Sequence, residues 1–172
     1  MSGCTGLINA ERLSGGASQE TYRLTVATVS GERLLAMRRA PGGQILDKTP
    51  QHPGLEVEAL LMQSARLAGV PEPEVYHVLS ESDGLGDGFI MEWLEGEALG
   101  ARIVRSPEFD DIRPRLAYEC GRVLAKIHHI DVDQTGLRQK LWQISPADFV
   151  EQTWERYRLL PTPQPMIDYA AR

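Results

Sequence analysis

Alternating apolar and polar positions mark the first part of the chain as strand. Between Thr21 and Val29, Tyr22, Leu24 and Val26 share one face, with Thr28 less cleanly, the period-2 pattern of a half-buried strand. Glu11 to Leu13 reads as a shorter strand that stops at Ser14-Gly15-Gly16. Ser30-Gly31 is a turn signal, and Arg33 to Arg39 follows as a third strand. Links this short require antiparallel pairing, because a parallel partner needs a long crossover. Residues 41–54 hold three prolines and three glycines and predict a loop. The period then becomes helical over Leu55 to Leu67, with Gly69 at the cap and Pro71 and Pro73 barring continuation. Val75 to Leu79 predicts a fourth strand. Asp83 to Gly88 is a turn, and Phe89 to Leu94 is a fifth strand, apolar on both faces and therefore expected inside the sheet.

Beyond Gly96 only helical patterns occur. A short helix is expected over Glu97 to Arg105 and a long one over Asp110 to His128, where Leu116, Cys120, Val123, Leu124 and Ile127 form an apolar stripe. Ser145 is a capping residue, with Pro146 at the first helical position and Asp148 as the reciprocal acid. Phe149, Thr153, Tyr157 and Leu160 make the stripe of that helix, and a further helix starts at about Met166. The fold class is α+β: a five-stranded antiparallel unit with one helix over residues 1–95, then a helical unit over residues 96–172. The junction lies at Leu94 to Glu97.

The bulk numbers narrow the function. A chain of 172 residues with 42% hydrophobic and 24% charged residues can bury an ordinary core. Its 18 Lys and Arg against 24 Asp and Glu leave a net charge of −6, which argues against a nucleic-acid surface. No basic stretch precedes an apolar run at the start, and no apolar run approaches the ~20 residues of a membrane span. Cys4 and Cys120 occur without a CxxC pattern and read as reduced thiols in a cytoplasmic protein, Cys120 as a small core residue.

Four features carry candidate chemistry. Ser14-Gly15-Gly16-Ala17-Ser18 lies between two strands, where free N–H groups can hold phosphate oxygens and Ser18 adds a hydroxyl; a plain hairpin turn uses the same residues. Arg38, near the end of the third strand, can reach phosphates over the sheet, or stand solvated; Arg39 must point to the opposite face. Glu58, early in the first helix, can pair with Arg38, whereas Glu56 lies about 200° away around the helix and cannot share that role. Phe89 to Gly96 runs from a central strand into the junction. Backbone groups past its last paired residue can meet the edge of a base, between apolar walls that include Met91.

In this order the four features resemble the aminoglycoside phosphotransferase and choline kinase group, which shares the protein-kinase fold. Leu13 to Leu24 is similar to that family's first hairpin, Met37 to Gly43 to its third strand and turn, and Phe89 to Gly96 to its hinge. Gly121 to Asp131 resembles the end of the following helix, and Thr162 to Tyr169 the lead-in to the helix before the catalytic loop. The resemblance implies ATP-dependent phosphoryl transfer to a hydroxyl of a small molecule, with GTP as a possible donor in place of ATP. Gly15, Gly16 and Ser18 would cover the phosphates, and Arg38, held by Glu58, would contact them. The Glu92 carbonyl and the Leu94 N–H, beside Met91, would read the base. The family's His-Gly-Asp and Asp-Phe-Gly runs do not occur in residues 1–172, so the acceptor-orienting carboxylate and the Mg²⁺ ligands are expected outside them. The chain is therefore expected to be truncated before its catalytic loop and to transfer no phosphate alone. Its uncovered helical stripes imply that the chain self-associates or is part of a longer protein. A non-catalytic nucleotide-binding or pseudokinase-like module is the alternative reading.

Overall fold

The computed structural model describes residues 3–14, 18–162 and 164–170. Five strands form one antiparallel sheet: β1 (Cys4–Arg12), β2 (Glu20–Thr28), β3 (Gly31–Arg39), β4 (Val75–Val78) and β5 (Gly88–Glu92). Their order is β1-β2-β3-β5-β4, so β5 lies inside the sheet, as its two apolar faces require. The first strand begins seven positions earlier than its pattern predicts. Register shifts between Cys4 and Gly6 and between Leu7 and Asn9 break the alternation against β2, and a period-2 test is blind to a bulged strand.

The loop after β3 leads to helix α1 (Leu55–Leu67), on the residues predicted. Its end is a full left-handed cap: the Gly69 N–H donates to the Arg66 carbonyl at 2.9 Å and the Val70 N–H to Ala65 at 3.0 Å. Gly69 takes φ +79°, a conformation that side-chain-bearing residues avoid.

The sheet buries apolar residues on both faces. Leu24, Val26, Leu35 and Met37 are packed with Tyr22, Tyr76, Leu79 and Ile90 on one side. On the other, Leu55 and Ala59 of α1 close over Phe89 and Ala40, flanked by Met62, Val75, Val78 and Met91. Phe89 is fully buried, a placement that contributes about 1.5–3 kcal/mol.

Helices α2 (Gly100–Arg105) and α3 (Arg113–His128) follow. Both start three residues later than predicted; before α3, Pro107–Phe109 forms a separate 3₁₀ turn. Cys120 corrects one expectation, since it is exposed rather than part of a core. It lies on the same arc of α3 as the half-buried Leu116 and Val123, but that turn is left uncovered. A short turn after α3 anchors Leu137, which is 1% exposed.

Two compact units are present, Met1–Leu141 and Trp142–Arg172. The second holds α4 (Pro146–Arg158) and α5 (Pro165–Ala170). The predicted cap of α4 is formed: Ser145 Oγ accepts the Asp148 N–H at 3.1 Å and donates to its carboxylate at 2.7 Å. Trp154 meets Tyr157 edge-on at 5.3 Å, and the Tyr157 hydroxyl accepts the Gln164 N–H at 2.7 Å.

Candidate functional site

Register decides which arginine of β3 can serve a site. Arg38 is paired with Thr21 on β2 and Phe89 on β5, and Arg39 with Glu20 and Gly88, so the two point to opposite faces. Arg38 shares the α1 side with Ala36 and with Met91, the cross-strand partner of Ala36. Helix α1 begins after Gly54, which takes φ +87° and whose carbonyl accepts the Glu58 N–H at 3.2 Å. That start places Glu58 over the strand, with Oε1 2.9 Å from Arg38 Nη1. The Arg38 Nε donates to the Gln19 side-chain oxygen. The Nη2 group has no partner among the described residues, and the Arg38 side chain is 40% exposed. A guanidinium fixed on two sides and open on the third suits an anion.

Arg39 is consumed on the other face. Its Nε donates to Glu20 Oε2 at 3.0 Å and its Nη2 to the Tyr22 hydroxyl at 3.1 Å, while Arg12 reaches the second Glu20 oxygen at 3.2 Å. Burial alone would raise the Glu20 pKa. Hydrogen bonds from the Gly42 N–H, Tyr22 and Arg39, with the Arg12 charge, outweigh it and hold the carboxyl below the usual range. This cluster closes the first hairpin and leaves Arg38, of the two adjacent arginines, as the available cation; Arg33, farther back on the strand, lies against Tyr76.

The β3–β5 ladder ends at the pair Leu35 and Glu92. The Glu92 N–H is taken by the Glu74 carbonyl at 2.8 Å. Leu94, two residues on, is exposed, and its N–H has no partner among the described residues. The chain thus offers a free backbone donor just past a central strand. Arg23, the β2 partner of Ala36, lies 5.9 Å from the Trp93 ring, and its Nε is a buried donor without a partner among the described residues. Such a donor is costly unless a ligand or water meets it.

The structure therefore brings Arg38, Glu58 and Met91 to one side of the sheet and leaves Leu94 at the strand's exit. Ser18 is exposed in the bend before β2, and Gly15 and Gly16 lie outside the described residues. The partly exposed Arg38 guanidinium is the cation on that side. No group of three or more His, Cys, Asp or Glu side chains converges as a metal site among the described residues, so none is assigned to Mg²⁺.

Two relationships lay outside the sequence reading. Gln19 holds Arg38; a lone amide in a turn of small residues was its only signal. Glu56 is not a solitary helix acid: Lys140 reaches its Oε1 at 3.3 Å and Lys48 its Oε2 at 3.4 Å. Hydrogen bonds from Lys140, then Lys48, hold its carboxyl below the usual range.

The five-stranded antiparallel sheet with one covering helix, an arginine on its third strand and a glutamate on that helix define the smaller lobe of a protein-kinase-like fold. The chain belongs to the phosphotransferase enzyme family, whose sequence profile it matches over residues 9–171. A search of curated proteins finds no match. Membership carries phosphoryl transfer as the general activity. No helix among the described residues is long and apolar enough to cross a membrane.

Proposed function

We propose that this chain holds the nucleotide of an ATP-dependent phosphotransferase acting on a hydroxyl of a small molecule in the cytoplasm. The observation that carries it is the Arg38–Glu58 pair at 2.9 Å, with the third side of the guanidinium open on the face that also presents Met91. In this reading Gly15, Gly16 and Ser18 cover the phosphates from the β1–β2 turn. Arg38 meets them as a planar cation, and Glu58 fixes its angle. Met91 walls the base, and the Glu92 carbonyl and Leu94 N–H read its edge. GTP fits the same backbone groups. The nucleotide lies beside the chain segment Leu94 to Glu97.

Mg²⁺, when bound with the nucleotide, neutralises charge on the phosphate oxygens. Residues 1–172 contain no His-Gly-Asp run to orient an acceptor hydroxyl, so in this reading their part in the reaction is to hold the nucleotide. Exposed Tyr118, Leu124 and Ile127 on α3 favour self-association, which a monomer by sedimentation at micromolar concentration would contradict.

Calorimetric titration of the 172-residue chain with MgATP tests the reading. Saturable binding that weakens at least about tenfold in Arg38→Ala supports it, the loss expected for a charge-assisted phosphate contact. Absence of binding, or binding indifferent to Arg38, overturns it.

A further inference from the structure

Helix α1 is tied at both ends to the chain that follows β5. At its first turn, Lys140 Nζ donates to Glu56 Oε1 at 3.3 Å, two residues before Glu58. At its far end, Lys126 Nζ on α3 donates to the carbonyl of the cap residue Gly69. Both lysines are distant in sequence from their acceptors, by 84 and 57 positions. Lys140 is delivered by a fixed turn, because Gly136 takes φ +71° and Leu137 is 1% exposed just ahead of it. Beside that first turn, a cleft of about 650 Å³ lined by Ile45, Lys48, Glu56, Leu60 and Lys140 separates α1 from β4 and the loop after β3. Beside the cleft the helix start carries the Lys140 and Lys48 pairs to Glu56, while Leu55 of the same turn is buried with Phe89.

We propose that Lys140 is a positioning residue for the nucleotide site, setting the Arg38 guanidinium through Glu56, helix α1 and Glu58. The inference rests on the nucleotide reading of Arg38. A helix is stiff along its axis, so a tether on Glu56 restrains Glu58 half a turn away. Movement of Glu58 by about 1 Å lengthens its bond to Arg38 beyond hydrogen-bonding range and frees the guanidinium to rotate. Lys48, which grips the other Glu56 oxygen, comes from the loop next to α1 and cannot hold the helix against the later chain. The Lys140–Glu56 pair is half-exposed, at 45% and 52%, so it contributes little to stability by itself.

The test is a set of variants of the full 172-residue chain, each measured for MgATP affinity by calorimetry and for thermal unfolding without nucleotide. Lys140→Ala is expected to weaken binding about threefold to tenfold, the size typical of a residue coupled to a site it does not touch. The unfolding midpoint is expected to move no more than about 3 °C. Lys140→Arg restores affinity to within about twofold, and Lys48→Ala leaves it there. In a Glu58→Ala background, Lys140→Ala has no further effect on affinity, because the path it acts through is already cut. A Lys140→Ala chain with wild-type affinity overturns the inference, as does one that loses affinity equally in both backgrounds. In those cases wild-type binding and the Arg38→Ala loss still stand. A wild-type chain that binds no MgATP overturns the nucleotide reading and this inference together.

Discussion

Glu58 Oε1 stands 2.9 Å from Arg38 Nη1, joining helix α1 to the third strand across the face that presents Met91. The side chains are 31% and 40% exposed, so the pair is worth little as a stabilising contact and much as an orienting one. Glu58→Gln keeps the shape and removes the charge. It is expected to lower nucleotide affinity about tenfold, the loss of one charge-assisted bond, with an unfolding free energy changed by less than about 1 kcal/mol. Calorimetry and urea unfolding on the same sample check both halves.

Gly88 supplies the space that lets β5 approach the end of β3. A Cβ there would lie 2.5 Å from the Arg38 carbonyl oxygen and 2.9 Å from the Arg39 Cβ. Both obstacles are part of the strand, so it must move. Gly88→Ala is expected to destabilise the chain by about 1–3 kcal/mol, an overpacking cost, and to displace Arg38 at the same time. Urea unfolding should show a lower midpoint at unchanged slope, and MgATP affinity should fall with it.

Asp83 closes the turn between β4 and β5. Hydrogen bonds from the Ser80 N–H at 2.7 Å and hydroxyl at 2.8 Å, then from His77, bring its pKa from 3.8 down to about 2. A carboxyl whose pKa is depressed in the folded state stabilises the fold above its unfolded pKa, and that contribution disappears as pH falls through the folded one. The stability difference between the wild type and Asp83→Asn should therefore be full above pH 4 and shrink between pH 4 and 2. Denaturant midpoints measured across that range give the answer; a difference independent of pH contradicts the assignment.

Ser145 caps α4 through the Asp148 N–H. Ser145→Ala is expected to cost about 1 kcal/mol, confined to the start of that helix. Amide exchange at Asp148 and Phe149 should accelerate, while exchange in β3 and β5 stays unchanged.

Local rules made most of the fold legible. Helix α1 and the Ser145 cap follow from propensity, glycine and proline placement, and side-chain reach within a few residues. The alternation of β2 and β3 was enough to separate Arg38 from Arg39 by face. Strand β1 is longer than its sequence pattern suggests, because its bulges break the period that identifies a strand. Cys120 is exposed although it lies in an apolar stripe, because a stripe shows which face can be covered and whether anything covers it depends on chain elsewhere.

The candidate site divides along the same line. Residue type and spacing determined that a cation on β3 and an acid on α1 would be available on one side of a sheet, because side-chain direction repeats every two residues in a strand and every 3.6 in a helix. Only the tertiary structure decided which groups meet. Gln19 on Arg38, Glu20 on Arg39 and Lys140 on Glu56 join residues from separate segments, and no local period encodes such encounters. Charges that far apart along the chain become neighbours only once apolar burial of Phe89, Leu55 and Leu137 has fixed the backbone between them.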